Sequence, residues 1–251
     1  FLDHLEELRW RLIWMIGALF VGFGAGFFLV LHFDLINVLA QPAVPYMPRG
    51  KLVYTHPMDV LSNVMTLSFA VGLILASPVV LYQLWAFVAP ALWKNEKHVA
   101  LWVFAGGMIL FLLGVALSYF FVVPATLRLN ASLQGASLEA MLTLGEYFSY
   151  IVALALTFGA AFELPILILG LTALGLVTPA FLRKFRRHAL VLCALGAAVL
   201  TPGDAVTATV ALLGPLYFLY ELGILLSSRA YRWRQRRENN IAATGEAPEA
   251  A

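Results

Sequence analysis

Leu12-Ile13-Trp14-Met15-Ile16-Gly17-Ala18-Leu19-Phe20-Val21-Gly22-Phe23-Gly24-Ala25-Gly26-Phe27-Phe28-Leu29-Val30-Leu31 is a run of twenty residues without a charge. A helix rises ~1.5 Å per residue, so a run of this length matches the ~30 Å hydrocarbon core of a bilayer. The run is continuously apolar and does not alternate, which argues for a helix and against a barrel strand. It also exceeds the roughly 7–15-residue core of a cleavable signal peptide, so it is expected to persist as a span. Gly22 and Gly26 place a small-xxx-small pair on it, a spacing that suits close helix packing.

The rest of the 251-residue chain repeats this character. Hydrophobic residues make up 62% and charged residues 12%, with a mean hydropathy of +0.87. Soluble domains carry about 25% charged residues, so the composition excludes an ordinary cytosolic enzyme and a disordered chain. The single cysteine, Cys193, excludes a disulfide scaffold, and a formal charge of +2 gives no argument for nucleic acid. Val60–Trp93 and Val99–Leu127 are uncharged, and Tyr147–Leu182 holds one charge, Glu163. Ala189–Gly203 and Ala205–Ser228, the latter interrupted by Glu221, are compatible with one long span, two short ones or a re-entrant hairpin.

The basic residues decide among these. Arg9 and Arg11 precede the first run, Lys94 and Lys97 follow the second, and Arg183, Lys184, Arg186 and Arg187 follow the fourth. Arg229, Arg232, Arg234, Arg236 and Arg237 come after the last. With alternating spans, 13 of the 16 Lys and Arg fall on one side; only Arg49, Lys51 and Arg128 fall on the other. The positive-inside rule makes the first side cytoplasmic. The fourfold basic cluster and the basic tail then need two crossings between them, turning at Thr201-Pro202-Gly203-Asp204. The expected architecture is an all-α integral membrane domain over residues 1–228 with both termini cytoplasmic. Its six transmembrane helices lie at about 12–31, 60–87, 99–123, 147–176, 188–201 and 205–227, the last two short. Short helices imply local bilayer thinning or burial against neighbours.

Outside the spans, His32–Asp59 is rich in Pro (Pro42, Pro45, Pro48, Pro57) and is expected to be an ordered cap with little helix beyond one turn. Asn130–Glu146 mixes polar and apolar residues, compatible with short surface helices. Residues 229–251 read as a basic and then, from Glu238, disordered tail. Val88-Ala89-Pro90-Ala91-Leu92-Trp93-Lys94 echoes Val177-Thr178-Pro179-Ala180-Phe181-Leu182-Arg183, a similarity that helix ends produce by coincidence as well as by duplication.

The spacing of His, Cys and acidic residues offers no metal-ligand cluster and no phosphate loop, so no enzyme and no cofactor is expected. What remains is a set of placed acids. Leu5, Leu8 and Leu12 share one face of a helix leading into the first span, with Glu6 and Glu7 beside them. Taken alone, Glu7 and Arg11 at i, i+4 read as a solvated pair, and Glu96 in Lys94-Asn95-Glu96-Lys97-His98 as a surface acid amid counter-charges. Trp85, Phe87 and Trp93 alone read as an interfacial aromatic belt. Glu163 is different: a carboxylate at bilayer depth is costly and has to face protein or water, which favours a polar contact for a substrate or partner. Asp204 has a plainer role as a helix cap, and Glu221 as a partner for the arginine-rich tail.

These residues also resemble a family. His4-Leu5-Glu6-Glu7-Leu8-Arg9-Trp10-Arg11-Leu12 is similar to the H-L-x-E-L-R-x-R-L signature of TatC, the multispanning subunit of the twin-arginine protein translocase. So is Ser77-Pro78-Val79-Val80-Leu81-Tyr82-Gln83-Leu84-Trp85-Ala86-Phe87-Val88-Ala89-Pro90-Ala91-Leu92 with Glu96 after it. Phe162-Glu163-Leu164-Pro165, Leu200-Thr201-Pro202-Gly203-Asp204 and Leu219-Tyr220-Glu221 follow in the same order, so the resemblance covers residues 1–228. The chain departs from the family in lacking a glutamine within Ala205–Leu212.

The resemblance implies a receptor for signal peptides bearing consecutive arginines, and a core component of a machine that exports folded proteins on the proton-motive force. It places Glu7 and Glu96 at the recognition site with Leu8 and Phe87, Phe87 touching the apolar residue after the arginine pair, and it has Arg9 and Arg11 orient the acids. Two guanidiniums suit two carboxylates, and lysine does not reproduce their fork. The resemblance further links Glu163, Asp204 and Glu221 to intramembrane polar contacts, and Pro42 to the periplasmic cap. Implied partners are TatA-type and TatB-type single-span subunits, twin-arginine signal peptides, other TatC copies and the lipid bilayer. The implied location is the bacterial cytoplasmic (inner) membrane. The rival class is a proton-coupled secondary transporter of a small solute using Glu163, a class that usually shows broken helices in repeated halves.

Overall fold

The computed structural model describes residues 2–47, 52–88, 97–133, 142–173, 175–200 and 207–244, and these are nearly all helical. Helix α1 (Leu2–His32) carries the acidic lead-in and the first apolar run without a break. A cap follows, made of α2 (Leu35–Ala40) and a 3-10 helix (Gln41–Tyr46). Helices α3 (Asp59–Val88) and α4 (Lys97–Leu117) come next, and α4 passes through a π-helical turn (Ser118–Val122) into α5 (Val123–Leu133). Then come α6 (Leu144–Phe162), α7 (Leu164–Ala173), α8 (Pro179–Lys184), α9 (Arg186–Leu200) and α10 (Thr207–Thr244).

Four stretches among the described residues are long and apolar enough to cross a membrane: Glu6–His32, Asp59–Leu84, Val103–Ser132 and Leu144–Thr172. They match the first four runs read from the sequence. Their outward faces carry large apolar side chains, among them Phe20, Val21, Phe69, Ile109, Phe120 and Leu167, as expected where the solvent is lipid. Helix α9, with fifteen residues, rises only about 22 Å, less than the hydrocarbon core.

Three expectations are corrected. The Pro-rich cap holds more helix than one turn, because Pro42 and Pro45 suit the 3-10 backbone over Gln41–Tyr46. The third helical segment runs on to Leu133, ten residues beyond its expected end at 123, because a π-turn absorbs Tyr119-Phe120-Phe121 without ending the helix. Residues 238–244, read as disordered, continue α10, since a long helix is already nucleated and Glu238, Ala242 and Ala243 are good helix formers that extend it.

The most intimate pairing joins α1 to α3, and it rests on backbone approach. A Cβ on Gly22 would lie 2.4 Å from the Gly72 carbonyl oxygen, and one on Gly26 would lie 2.4 Å from that of Ser68. Seen from the other helix, a Cβ on Gly72 would lie 2.7 Å from the Gly22 backbone. The pair noticed on α1 thus meets a matching small-residue row on α3, Ser68, Gly72 and Ala76, at the same four-residue spacing. A second close crossing joins α4 to α6, where a Cβ on Gly114 would meet the Phe158 carbonyl oxygen at 2.5 Å.

The main core gathers at the end of the bundle nearest the cap. Phe148, Phe158, Leu67, Val30, Val123, Ala43 and Leu212 are buried there in one cluster. The cap is tied on by hydrogen bonds from helix side chains to its carbonyls: Tyr119 donates to Val38 O and Tyr147 to Leu39 O, each at 2.9 Å. Arg128 Nε donates to Tyr46 Oη at 3.1 Å, and a short bridge pairs Val53 with Thr143. Pro42 therefore opens a 3-10 helix whose Ala43 is sealed into the core.

Gly22→Ala and Gly72→Ala are expected to destabilise the bundle by about 1–3 kcal/mol each, the usual cost of forcing extra atoms into a packed interior. Gly17 and Gly24 on the same helix have nothing within 4 Å of an added Cβ. Gly17→Ala and Gly24→Ala are therefore expected to be neutral or mildly stabilising. Thermal unfolding of the four variants in detergent separates the two classes.

Candidate functional site

Polar chemistry lies at three levels of the bundle. The first is the opening of α1. Arg11 donates to Glu7 Oε1 from Nε at 3.2 Å and from a terminal guanidinium nitrogen at 2.5 Å, one helical turn apart. Arg11 is the more buried partner, with a side-chain exposure of 18% against 38% for Glu7, so the carboxylate is the more accessible half of the pair. The i, i+4 pairing read from the sequence is present. Leu8, at 42% exposure, and Arg9 are exposed beside it.

The α1–α3 crossing determines what stands across from this turn. Gly22 is level with Gly72, and Gly26 with Ser68, so the helices run antiparallel in a defined register. Glu7 lies fifteen residues before Gly22, and Phe87 lies fifteen after Gly72. Equal rise along both helices brings the turn of α1 that carries Glu7 level with the last turn of α3, which carries residue 87. Two segments eighty residues apart in the chain thus share one end of the bundle. Glu96 lies outside the described residues, as does Asp204.

The second level is Glu163. Helix α6 stops at Phe162, Glu163 closes its last turn, and α7 restarts at Leu164. Pro165 causes the interruption: it has no N–H to donate back into α6, and its ring disfavours helical geometry in the residue before it. The backbone is satisfied locally, with Glu163 N–H bonding Ala160 O at 3.1 Å and Glu163 O accepting from Leu167 at 2.9 Å. The side chain is buried at 9% exposure, and its Oε1 has no hydrogen-bond partner among the described residues.

The carboxylate fits because α4 presents no side chain to it. A Cβ on Gly107 would lie 3.1 Å from Glu163 Oε2 and 3.5 Å from Oε1. The niche is made by Gly107, a residue that the sequence reading did not single out. The available signal was Gly106-Gly107 in the middle of an apolar helix, where two consecutive glycines weaken the helix unless something must come close.

The third level is where the middle of α10 meets the start of α9. Glu221 Oε2 accepts from Arg186 at 2.7 Å, and Oε1 accepts from the Tyr217 hydroxyl at 3.3 Å. This corrects the expected pairing with the arginine-rich tail. The first tail arginine lies two turns further along α10, whereas the start of α9 packs directly beside Glu221. Arg183 donates to Ser228 Oγ at 3.1 Å and Arg232 Nε to Ser228 O at 3.2 Å, so the two basic segments meet here.

An α-helical bundle with several lipid-facing spans, an acid–base turn at one end and a carboxylate recessed at a helix break is the build of a multi-pass membrane protein. The family described as Sec-independent protein translocase protein (TatC) matches residues 3–215. The TatC protein of Aquifex aeolicus (strain VF5) is 36% identical over 92% of this chain and 95% of its own length. That of Escherichia coli (strain K12) is 35% identical over 90% of this chain and 87% of its own. A crystal structure of the twin-arginine translocase receptor TatC superposes with a TM-score of 0.77 at 36% identity, covering 90% of this chain and 99% of that one. The chain belongs to the TatC family, and the solute-transporter reading is not favoured.

Gly107→Leu should lower stability by about 1–3 kcal/mol by overfilling the niche. Glu163→Ala in the same background should recover part of that loss, a coupling of roughly 0.5–3 kcal/mol between touching residues. Additive effects of the two changes in detergent unfolding would mean that the carboxylate does not occupy the niche.

Proposed function

We propose that this chain is the twin-arginine signal-peptide receptor and core subunit of a Tat translocase in the bacterial inner membrane. It exports folded cargo on the proton-motive force, with TatA-type and TatB-type single-span subunits and further copies of itself as partners. The observation that carries the reading is the part-exposed Glu7 carboxylate, paired with Arg11 and level with the last turn of α3. Glu7 and Glu96 receive the two guanidiniums, Phe87 and Leu8 take the neighbouring apolar side chain, and Arg9 and Arg11 hold the acids ionised and aimed. A fork of N–H donors matches a carboxylate in two places at once, so arginine is preferred to lysine.

The topology in this proposal has six crossings with both ends cytoplasmic. The meeting of Arg186 with Glu221 and of Arg183 with Ser228 supports it, because it gathers the two basic segments at one end of the bundle. Glu163, with an unpaired buried oxygen, awaits a donor from a signal peptide or partner helix in the membrane. The family resemblance gives Asp204 and Glu221 intramembrane polar contacts as well, and the cap that contains Pro42 holds copies of the complex together on the far side.

Binding of a labelled Arg-Arg signal peptide to the purified protein, against a Lys-Lys control, tests the reading. Truncating one partner of a desolvated charge pair costs about 2–5 kcal/mol, so Glu7→Ala and Glu96→Ala should each weaken Arg-Arg binding by more than about tenfold. Equal binding of the Arg-Arg and Lys-Lys peptides, or undiminished binding in both variants, would overturn it.

A further inference from the structure

The basic end of the bundle holds a cleft that peptide recognition does not use. About 310 Å³ in volume, it is lined by Arg183, Arg186, Glu221, Ile224 and Leu225. Two guanidiniums, Arg183 and Arg186, line it against the one carboxylate of Glu221, and the segments that carry them hold two further cations, Lys184 and Arg187. That carboxylate is already turned toward protein donors, Oε2 to Arg186 and Oε1 to Tyr217. Arg183 differs from Arg186: among the described residues its hydrogen-bond partner is the neutral Ser228 hydroxyl, and it has no acidic partner. Its remaining N–H donors are available to an anion.

The other wall is apolar and continuous with the membrane face. Leu225 is 52% exposed and Phe218, two turns earlier on the same face of α10, is 67% exposed. A ligand seated here meets guanidinium forks at one end and a lipid-facing stripe along its length. A free anion or an acidic peptide would use only the first of these. We propose that this cleft binds the phosphodiester headgroup of an anionic phospholipid, with Arg183 and Arg186 on the phosphate and an acyl chain along Leu225 and Phe218. Basic pockets between helices at the cytoplasmic surface, where anionic lipids concentrate, take headgroups in this way. The site would also steady α8 and α9 against α10, a region otherwise joined by few side-chain bonds.

Native mass spectrometry of the full chain in nonionic detergent tests the proposal, with added dioleoylphosphatidylglycerol, dioleoylphosphatidylcholine or inorganic phosphate. Phosphatidylglycerol should be retained about tenfold better than phosphatidylcholine, the effect of one or two charge-assisted hydrogen bonds. Arg183→Gln should remove that preference, while Arg128→Gln, a cation at the opposite end beside Tyr46, should leave it intact. Inorganic phosphate should not displace the lipid at equal concentration. Arg186→Lys keeps a charge opposite Glu221 but loses the fork, and serves if Arg183→Gln does not fold; it too should weaken retention. Undiminished retention in the folded variant, an equal loss in Arg128→Gln, or displacement by free phosphate would each overturn the proposal.

Discussion

The bundle depends on one close approach, that of the α1 backbone to the α3 backbone at Gly22, Gly26, Ser68 and Gly72. Lipid removes the hydrophobic incentive for two apolar helices to associate, so contact must come from packing so tight that side chains are absent. A crossing built this way tolerates no slip: shifting either helix by one residue would drive a side chain into a carbonyl. The register is therefore rigid, and it extends some twenty Å along both helices to the end where Glu7 sits. The turn of α1 that pairs Glu7 with Arg11 is thus positioned by a glycine crossing far from it along the helix.

The break at Glu163 follows a related logic in a different currency of atoms. Pro165 ends α6 where a continuous helix would have pointed residue 163 along the regular sweep of the bundle. The turn aims its side chain at α4 instead, and Gly107 leaves the room there. A buried carboxylate oxygen without a donor is an expensive arrangement, which proteins keep where a partner is to arrive. Proline, glutamate and glycine, from two helices, form one device.

Much of this was legible in the residues. The first four spans, the Glu7–Arg11 pair and the Gly22–Gly26 spacing all follow from periodicity and charge, because each depends on residues within a turn or two of one another. The family signatures carried further, since they join segments from Glu7 to Glu221 that local rules treat separately. What the sequence could not reveal were relations across helices: that Ser68, Gly72 and Ala76 answer the α1 glycines, that Gly107 faces Glu163, and that Glu221 turns to Arg186 and away from the tail. Each is a choice of neighbour made by packing, and a single chain written in order records no neighbours. The helix through Gln41–Tyr46 was missed for another reason: prolines break α-helices but favour the tighter 3-10 turn when they stand at its start.

The two ends of the molecule are built on opposite principles, and this bears on how it works. At the cap end, buried Phe148, Leu67 and Val123 and tyrosine bonds to Val38 and Leu39 lock the loops onto a dense core. At the basic end, α8 is six residues long and α9 fifteen, the buried apolar cluster is small (Ile168, Leu182 and Ile224), and polar bonds of Arg183, Arg186 and Tyr220 add to it. Polar contacts near the headgroups are readily exchanged for water, lipid or another chain, whereas a dry core is not. The short α9 joins the two: its Ala197 is sealed into the main core, while at about 22 Å the helix falls short of the hydrocarbon thickness, so the bilayer beside it thins or a neighbouring chain covers the difference.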